Sequence, residues 1–400
     1  MSQQLTPDPA SRAAERTLTL EIGGRHVPAY ANVHDSGSGP GLLLVGDRQV
    51  IDESLRAKAD LFAEEGYSVL ATGCELSAAD VAGVAEALRG LDATDAAAGG
   101  IGCIGYGAGG ALALKAAAQA GFRALAAYDA MFSGSGEEAC LLALPCPFIL
   151  HFGTRDAPQN AALAQGLRAK CNGRKDGSRI YAWVEGAPEF AMPGRPACDA
   201  QADELAHTRT LELMRRVLGP HYDFAELFAQ HLYHEFETRD VDATMATMIG
   251  DPYVNHVPTL SGGVGHDMLK RFYKYHFVEQ NTAVLERATI SSTCGANRLV
   301  IETYSKFRHD AEIDRYFPGL KPTGKVVELA LVIVVKFRGD KVCHEHLHWD
   351  QGSALKQIGA LDAGDLPLAG PEAARKFRDI TLPSNIFMQD AWAKSEGKTI

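Results

Sequence analysis

The sequence predicts an α/β domain built on a parallel sheet, joined to a smaller α+β domain. Three observations carry this reading. Short apolar segments alternate with helix-period segments from residue 17 to about 218, the pattern of a parallel sheet covered by helices on both faces. Gly219-Pro220 then closes a helical stretch and marks a boundary. Beyond it helices come first, and long β segments follow as far as Trp349, which is the order of an α+β domain.

In the first part the strands fall at 41–46, 67–72, 100–105, 123–128, 147–153 and 179–184. Helix-period segments near 52–65, 78–90, 107–120, 157–171 and 200–218 lie between and after them. In the second part the helical segments are 222–237, 241–249 and 264–276, and a last helix at 351–360 follows the sheet. The expected domains are 17–219 and 222–365, with a Gly- and Pro-bearing tail over 366–400.

Four hundred residues suit two domains of ordinary size. With 46% hydrophobic and 22% charged residues each half can bury a core, which excludes a disordered or fibrous chain. The net charge of −11, with no Lys/Arg cluster interleaved with aromatics, argues against a nucleic-acid partner. The most apolar run, Val326 to Val335, is short and β-branched, a buried strand rather than a membrane span. The polar start, Met1 to Arg16, lacks the regions of a signal peptide. Eight cysteines are dispersed without CxxC pairs, as in a reducing compartment. A cytoplasmic protein without a membrane partner is expected.

Cys103-Ile104-Gly105-Tyr106-Gly107-Ala108-Gly109-Gly110 reads as a strand entering a helix through a glycine-rich turn, the context of a nucleophile elbow. Its central position is Gly107, which has no attacking atom. GYGAGGALAL, with AEEGYSVLA upstream and FGTRD downstream, resembles the dienelactone hydrolase family of α/β-hydrolases over roughly residues 20 to 218. The resemblance implies a Cys-His-Asp triad. Carried over, the nucleophile falls on Gly107, the acid on Asp156, and the histidine on Pro188 of Gly186-Ala187-Pro188-Glu189-Phe190; Asp47 matches an acidic residue after an early strand. Two of three members are missing, and a thiol or alcohol needs its base within reach. A catalytically degenerate hydrolase scaffold is expected. A displaced thiol at Cys103 or Cys74 stays open, although Cys103 inside a strand reads as a small buried hydrophobe. So does a phosphate cradle in the glycine turn, whose spacing departs from GxGxxG.

In the second half, Tyr233 precedes Arg239-Asp240-Val241-Asp242, and Asp251-Pro252-Tyr253-Val254-Asn255-His256-Val257-Pro258 follows. PGLKPTGK occupies 318–325, and Cys343-His344-Glu345-His346-Leu347-His348-Trp349-Asp350 leads into QGSALKQIG. These segments resemble the SnoaL-like polyketide cyclase family over residues 225 to 362, whose cone fold is shared with ketosteroid isomerase and scytalone dehydratase. The two resemblances together imply an α/β-hydrolase-like doubly wound sheet followed by a SnoaL-like α+β cone. The second also implies a small-molecule cavity with acid–base chemistry, and no cofactor is expected. One carry-over places a general base on Asp350 and the phenol donor on Tyr233.

The strand 343–350 alternates faces, so His344, His346, His348 and Asp350 share one side while Glu345, Leu347 and Trp349 share the other. Ten of the fourteen histidines lie in residues 221 to 400, which favours this half for proton transfer near neutral pH. The expected roles are Asp350 as base, His346 or His348 as its partner or general acid, and Tyr233 and His256 as oxygen-binding donors. Glu345 is the second candidate base, should the other face line the cavity. Structural readings stand beside these: a solvated or subunit-facing stripe, Asp350 as the N-cap of the next helix, Tyr233 as a core aromatic. A metal site is disfavoured because strand positions two apart lie about 6–7 Å apart.

The expected function is an enzyme acting on a small carbonyl or lactone compound by isomerase, dehydratase/hydratase (lyase) or cyclase chemistry, in a homo-oligomer such as a homodimer joined through the C-terminal domain. One alternative is a lactone or ester hydrolase of the dienelactone hydrolase family that uses a non-standard nucleophile or an activated water. Another is a non-catalytic small-molecule-binding protein.

Overall fold

The structure, a computed structural model, describes residues 16–33, 37–95 and 100–399. Its internal contacts divide the chain after Tyr222. The first unit contains, in chain order, β1 (Arg16–Ile22), β2 (Arg25–Val33), β3 (Gly41–Val45), α1 (Glu53–Glu64), β4 (Ser68–Thr72), α2 (Ala78–Arg89) and β5 (Ile101–Tyr106). Then come α3 (Gly107–Ala120), β6 (Ala124–Tyr128), α4 (Ser135–Leu142), β7 (Phe148–Gly153), α5 (Pro158–Cys171), β8 (Arg179–Trp183) and α6 (Ala200–Leu218).

The sheet runs β1-β2-β4-β3-β5-β6-β7-β8, antiparallel between β1, β2 and β4 and parallel from β4 to β8. Strands β3 to β7 are buried along their whole length. Such strands, covered on both faces, read as continuous apolar runs, which is why the sequence exposed them. The chain direction of strand addition reverses at β3 and β5, so a crevice opens beyond their carboxyl ends. Asp47 and Gly107 sit there.

Two features were not expected from the sequence: the hairpin β1–β2 and the helix α4. Ile22 pairs with Arg25 across Gly23 and Gly24, which take φ of +57° and +77°, the left-handed pair that a tight two-residue hairpin requires. The Gly-Gly step was the available signal. On the far side of the sheet, α1 and α6 are tied by buried charges. Lys58 Nζ donates to both oxygens of Asp203 at 2.6 and 2.8 Å, and Glu65 takes Arg215 at 2.6 Å and His207 at 3.3 Å.

The second unit opens with α7 (Phe224–Tyr233), capped by Asp223 and continued as a π-helical turn over His234–Thr238. It continues through α8 (Val241–Ala246), β9 (Met248–His256), β10 (Ser261–Val264) and α9 (His266–Phe272), which runs into a second π-helical turn over Tyr273–Val278. Next come β11 (Val284–Cys294), β12 (Arg298–Arg308), β13 (Val326–Arg338) and β14 (Lys341–Trp349), then α10 (Gln351–Ile358), α11 (Pro371–Arg378) and α12 (Gln389–Ala393). The sheet order is β10-β9-β14-β13-β12-β11, mixed because β9 and β14 are parallel.

Three expectations are corrected here. The segment 241–249 stops as helix at Ala246 because Met248 and Ile249 enter β9. The helix expected from 264 begins at His266, after β10. The tail 366–400 holds two helices, and Arg375 of α11 grips Glu328 of β13 at 2.8 Å. Among the described residues no helix is long and apolar enough to cross a membrane.

Candidate functional site

In the first unit β5 enters α3 at Gly107, whose φ is +50°. This is the left-handed turn of an elbow, and glycine holds it without strain. A Cβ there would stand 2.8 Å from the Cβ of Asp47, so the nucleophile's place is filled. Asp47 is held by Arg195, whose Nη2 lies 2.8 Å from Oδ1 and 3.0 Å from Asp52. Burial opposes ionisation of Asp47, but the Arg195 guanidinium keeps its carboxyl below the usual range.

Pro188 lines the same pocket, of about 290 Å³, and offers no base. His151 cannot replace it. Trp183 Nε1 donates to its Nδ1 at 3.1 Å, which leaves Nε2–H to donate to Thr210 Oγ1 at 3.1 Å. Burial pushes that imidazole down to about 3, so it stays neutral and fully engaged. Asp156, at the triad acid's place, is exposed with φ +59° and does not line the pocket. The carboxylate that does so, besides Asp47 and Glu189, is Asp129, which the sequence reading missed. It accepts from the backbone N–H of Gly153 at 2.7 Å and of Glu189 at 2.9 Å. Burial raises it to about 6 against those two hydrogen bonds, and Glu189 adds to the rise. Cys103 is fully buried in β5, where burial pushes its thiol far up, and Cys74 is also raised by burial. Neither is an activated nucleophile.

Gly107→Cys is expected to destabilise the first unit by at least about 1–2 kcal/mol, the cost of a side chain in the left-handed region, and to create no thiol-dependent ester hydrolysis, because the base is still missing. Urea unfolding and an enol-lactone assay check both parts. Gain of thiol-sensitive hydrolysis would show that the missing base is supplied from elsewhere.

In the second unit a cavity lies between one face of the sheet and the helical layer, lined by Phe228, Val254, Phe277, Ile301 and Leu331 among others. It leaves about 90 Å³ for water centres; at roughly 10–15 Å³ per water, this suits a small substrate. Glu345, Glu235, Tyr273, His256 and Arg315 bring polar groups into this apolar wall.

Behind the wall, the fully buried His231 organises the acids. Thr247 Oγ1 donates to the Thr244 carbonyl at 2.7 Å, so at 2.6 Å it accepts from His231 Nδ1–H. His231 Nε2 then faces Glu235 at 3.1 Å, Glu345 at 3.2 Å and the Tyr273 hydroxyl at 3.3 Å. A bare lone pair would repel two carboxylates, so Nε2 carries a proton and the ring is an imidazolium. Burial opposes this charge, but Glu235 and Glu345 outweigh it and push His231 up to about 10. Glu345 is raised by its burial and by Glu235, against the opposing pull of His231. Tyr273 donates to Glu345 at 3.3 Å. Glu235 and Tyr273 each sit in one of the π-helical turns, distortions that often mark functional positions. The ligand atoms of His231, Glu235 and Glu345 lie within 4.8 Å of one another, so the trio could also hold a divalent ion if Nε2 lost its proton.

The expected parity of β14 is corrected. Glu345 pairs with Val254 and Leu347 with His256, all four on the cavity face. His344, His346 and His348 point to the opposite face, where His344 and His346 stack at 4.7 Å beside Tyr253. Asp350 N-caps α10, accepting from Ser353 N–H at 3.2 Å, which is its structural reading. Tyr233 is 53% exposed and absent from the lining; Tyr273 supplies the phenol instead. His256 does line the cavity, but as an acceptor. Its Nδ1 lies 3.2 Å from the Ser261 carbonyl, which can only accept, so Nε2 keeps a lone pair and has no partner. Burial, reinforced by Arg315, lowers His256 to about 4 and keeps it neutral. His231 and Glu235 were readable as an i, i+4 pair on one helix face; nothing local distinguished Tyr273 or Arg315.

Residues 75–218 match the dienelactone hydrolase family, within the unit that carries the hydrolase-like α/β sheet described above. The match supports a hydrolase reading ahead of an isomerase or cyclase one. No curated protein matches the chain. Among solved structures, a dienelactone hydrolase-like promiscuous phosphotriesterase from metagenomic libraries is 15% identical, covering 52% of this chain and 99% of its own, with a TM-score of 0.45. A dienelactone hydrolase from Anabaena variabilis is 16% identical, with coverage of 52% and 99% and a TM-score of 0.42.

Proposed function

We propose that this chain, with a dienelactone hydrolase family domain over residues 75–218, is an enzyme that acts on a small carbonyl or lactone compound by proton transfer in the second unit's cavity. The observation that carries the reading is Glu345. It is a buried carboxylate on the cavity wall, within hydrogen-bond reach of an imidazolium and a phenol. In its ionised form Glu345 takes a proton from the carbon beside the substrate carbonyl, and as Glu345 is neutralised the Tyr273 hydroxyl is released from it to donate to the oxygen on which charge develops. His231 does not reach the cavity; it positions and balances the two acids. The SnoaL-like resemblance of residues 225 to 362 supports the same reading, which includes a cytoplasmic homo-oligomer. The test is deuterium incorporation from heavy water into enolisable ketones and unsaturated lactones, followed by NMR. Exchange in the wild type that is lost in Glu345→Gln supports the reading, and absence of exchange across the panel sinks it.

A second reading, favoured by the family match, is ester or lactone hydrolysis by water activated at Asp129. Asp129→Asn then lowers enol-lactone hydrolysis, and the wild-type rate rises as pH passes about 6, where Asp129 becomes the ionised base. A pH–rate profile that is flat across that range, or indifferent to Asp129→Asn, removes this reading.

A further inference from the structure

Arg315 follows β12 and is only 6% exposed, yet it lines the second unit's cavity. Its guanidinium packs against Phe277 and Tyr316, with Cζ 4.4 and 5.1 Å from the two ring centroids. Arginine keeps its charge at any physiological pH and presents five N–H donors. Its hydrogen-bond partners carry no charge, a long 3.4 Å contact from Nη1 to the Phe277 carbonyl and the hydroxyl of Tyr316, and among the described residues no carboxylate comes within ion-pair distance. Glu235, the acid whose field reaches it, is committed to His231. The buried arginines of the first unit behave differently: Arg195 and Arg215 each hold a carboxylate, at 2.8 and 2.6 Å. A desolvated charge without a countercharge is strongly unfavourable. Retained on a cavity wall, it marks where an anionic group is received.

We infer that the substrate of this cavity is a short carboxylic acid whose carboxylate is held by Arg315, with its carbonyl directed toward Glu345 and Tyr273. The inference rests on the acid–base reading above and narrows its substrate class. The apolar walls and the small volume suit a carboxylate, which is planar and matches the guanidinium fork, better than the more strongly hydrated phosphate. His256 adds selectivity. The residue lines the same space with its Nε2 unpartnered, and a lone pair beside the ligand would repel a second anion and favour a hydroxyl donor. The class is a short keto or hydroxy acid.

The full-length protein is titrated with 4-oxopentanoate, its methyl ester and inorganic phosphate by calorimetry. The acid is expected to bind at least about 10-fold more tightly than the ester. Arg315→Gln is expected to weaken acid binding by roughly 10- to 100-fold, the worth of a hydrogen bond to a charged group, and to leave the ester unchanged. Arg315→Lys restores part of the loss. Ester binding as tight as acid binding, phosphate displacing the acid at equal concentration, no binding of either pentanoate, or acid affinity indifferent to Arg315→Gln each overturns the inference. The acid–ester comparison in the wild type needs no variant to fold. Acid binding that depends on Arg315 without deuterium exchange leaves this inference standing and removes the acid–base reading. Exchange dependent on Glu345 without carboxylate preference does the reverse.

Discussion

Replacing Glu345 by glutamine is expected to lower proton-transfer turnover by about 10²–10⁴-fold, the usual contribution of a positioned general base. The amide keeps the shape and can still accept from Tyr273, which donates to Glu345 Oε1 at 3.3 Å. His231 keeps Glu235 as its partner at 3.1 Å, so the cluster stays assembled while the basic group is lost. The pH dependence has a definite sign. Burial and Glu235 raise Glu345 above the ordinary glutamate range, so the ionised base accumulates only above that range and the acid limb of the rate profile moves upward with it. Asp350→Asn, by contrast, leaves the rate unchanged, because Asp350 caps α10 and asparagine caps nearly as well. Exchange rates of the two variants against pH check both parts. A Glu345→Gln protein with undiminished exchange would remove this carboxylate from the chemistry.

Asp203→Ala is expected to destabilise the first unit by about 3–5 kcal/mol, the cost of stranding a buried charge. Lys58 and Asp203 are 1% and 2% exposed, and the ammonium makes two hydrogen bonds to the carboxylate at 2.6 and 2.8 Å. Removing the acid leaves Lys58 charged between α1 and α6 with no solvent to turn to. Pairing Lys58→Met with Asp203→Leu fills the same space with apolar groups and is expected to recover most of the loss, since a buried ion pair and a well-packed apolar pair are often close in stability. Urea unfolding of the three variants measures this. Equal losses in the single and double variants would mean that packing, not the stranded charge, sets the cost.

The sequence by itself determined the parallel strands β3 to β7, because a strand buried on both faces must be apolar along its length. It also determined the absence of an elbow nucleophile, since Gly107 has no side chain in any fold. The alternation of β14 was equally legible: the His344, His346 and His348 stripe on one face, Glu345 and Leu347 on the other. What it left open was which face meets the cavity. That is fixed by where α7 and α9 pack, and they bring Phe228 and the adjoining Tyr273 to the Glu345 side. A period of two assigns residues to the same face but does not say which face is inside. The partners of Glu345 lie 114 residues upstream at His231 and 72 upstream at Tyr273, and Asp129 meets Gly153 and Glu189 only across the β6–β7 crevice. Local patterns report local periodicity and caps. The carboxylates with raised pKa owe it to burial and to neighbours distant in the chain, and only the tertiary structure decides both.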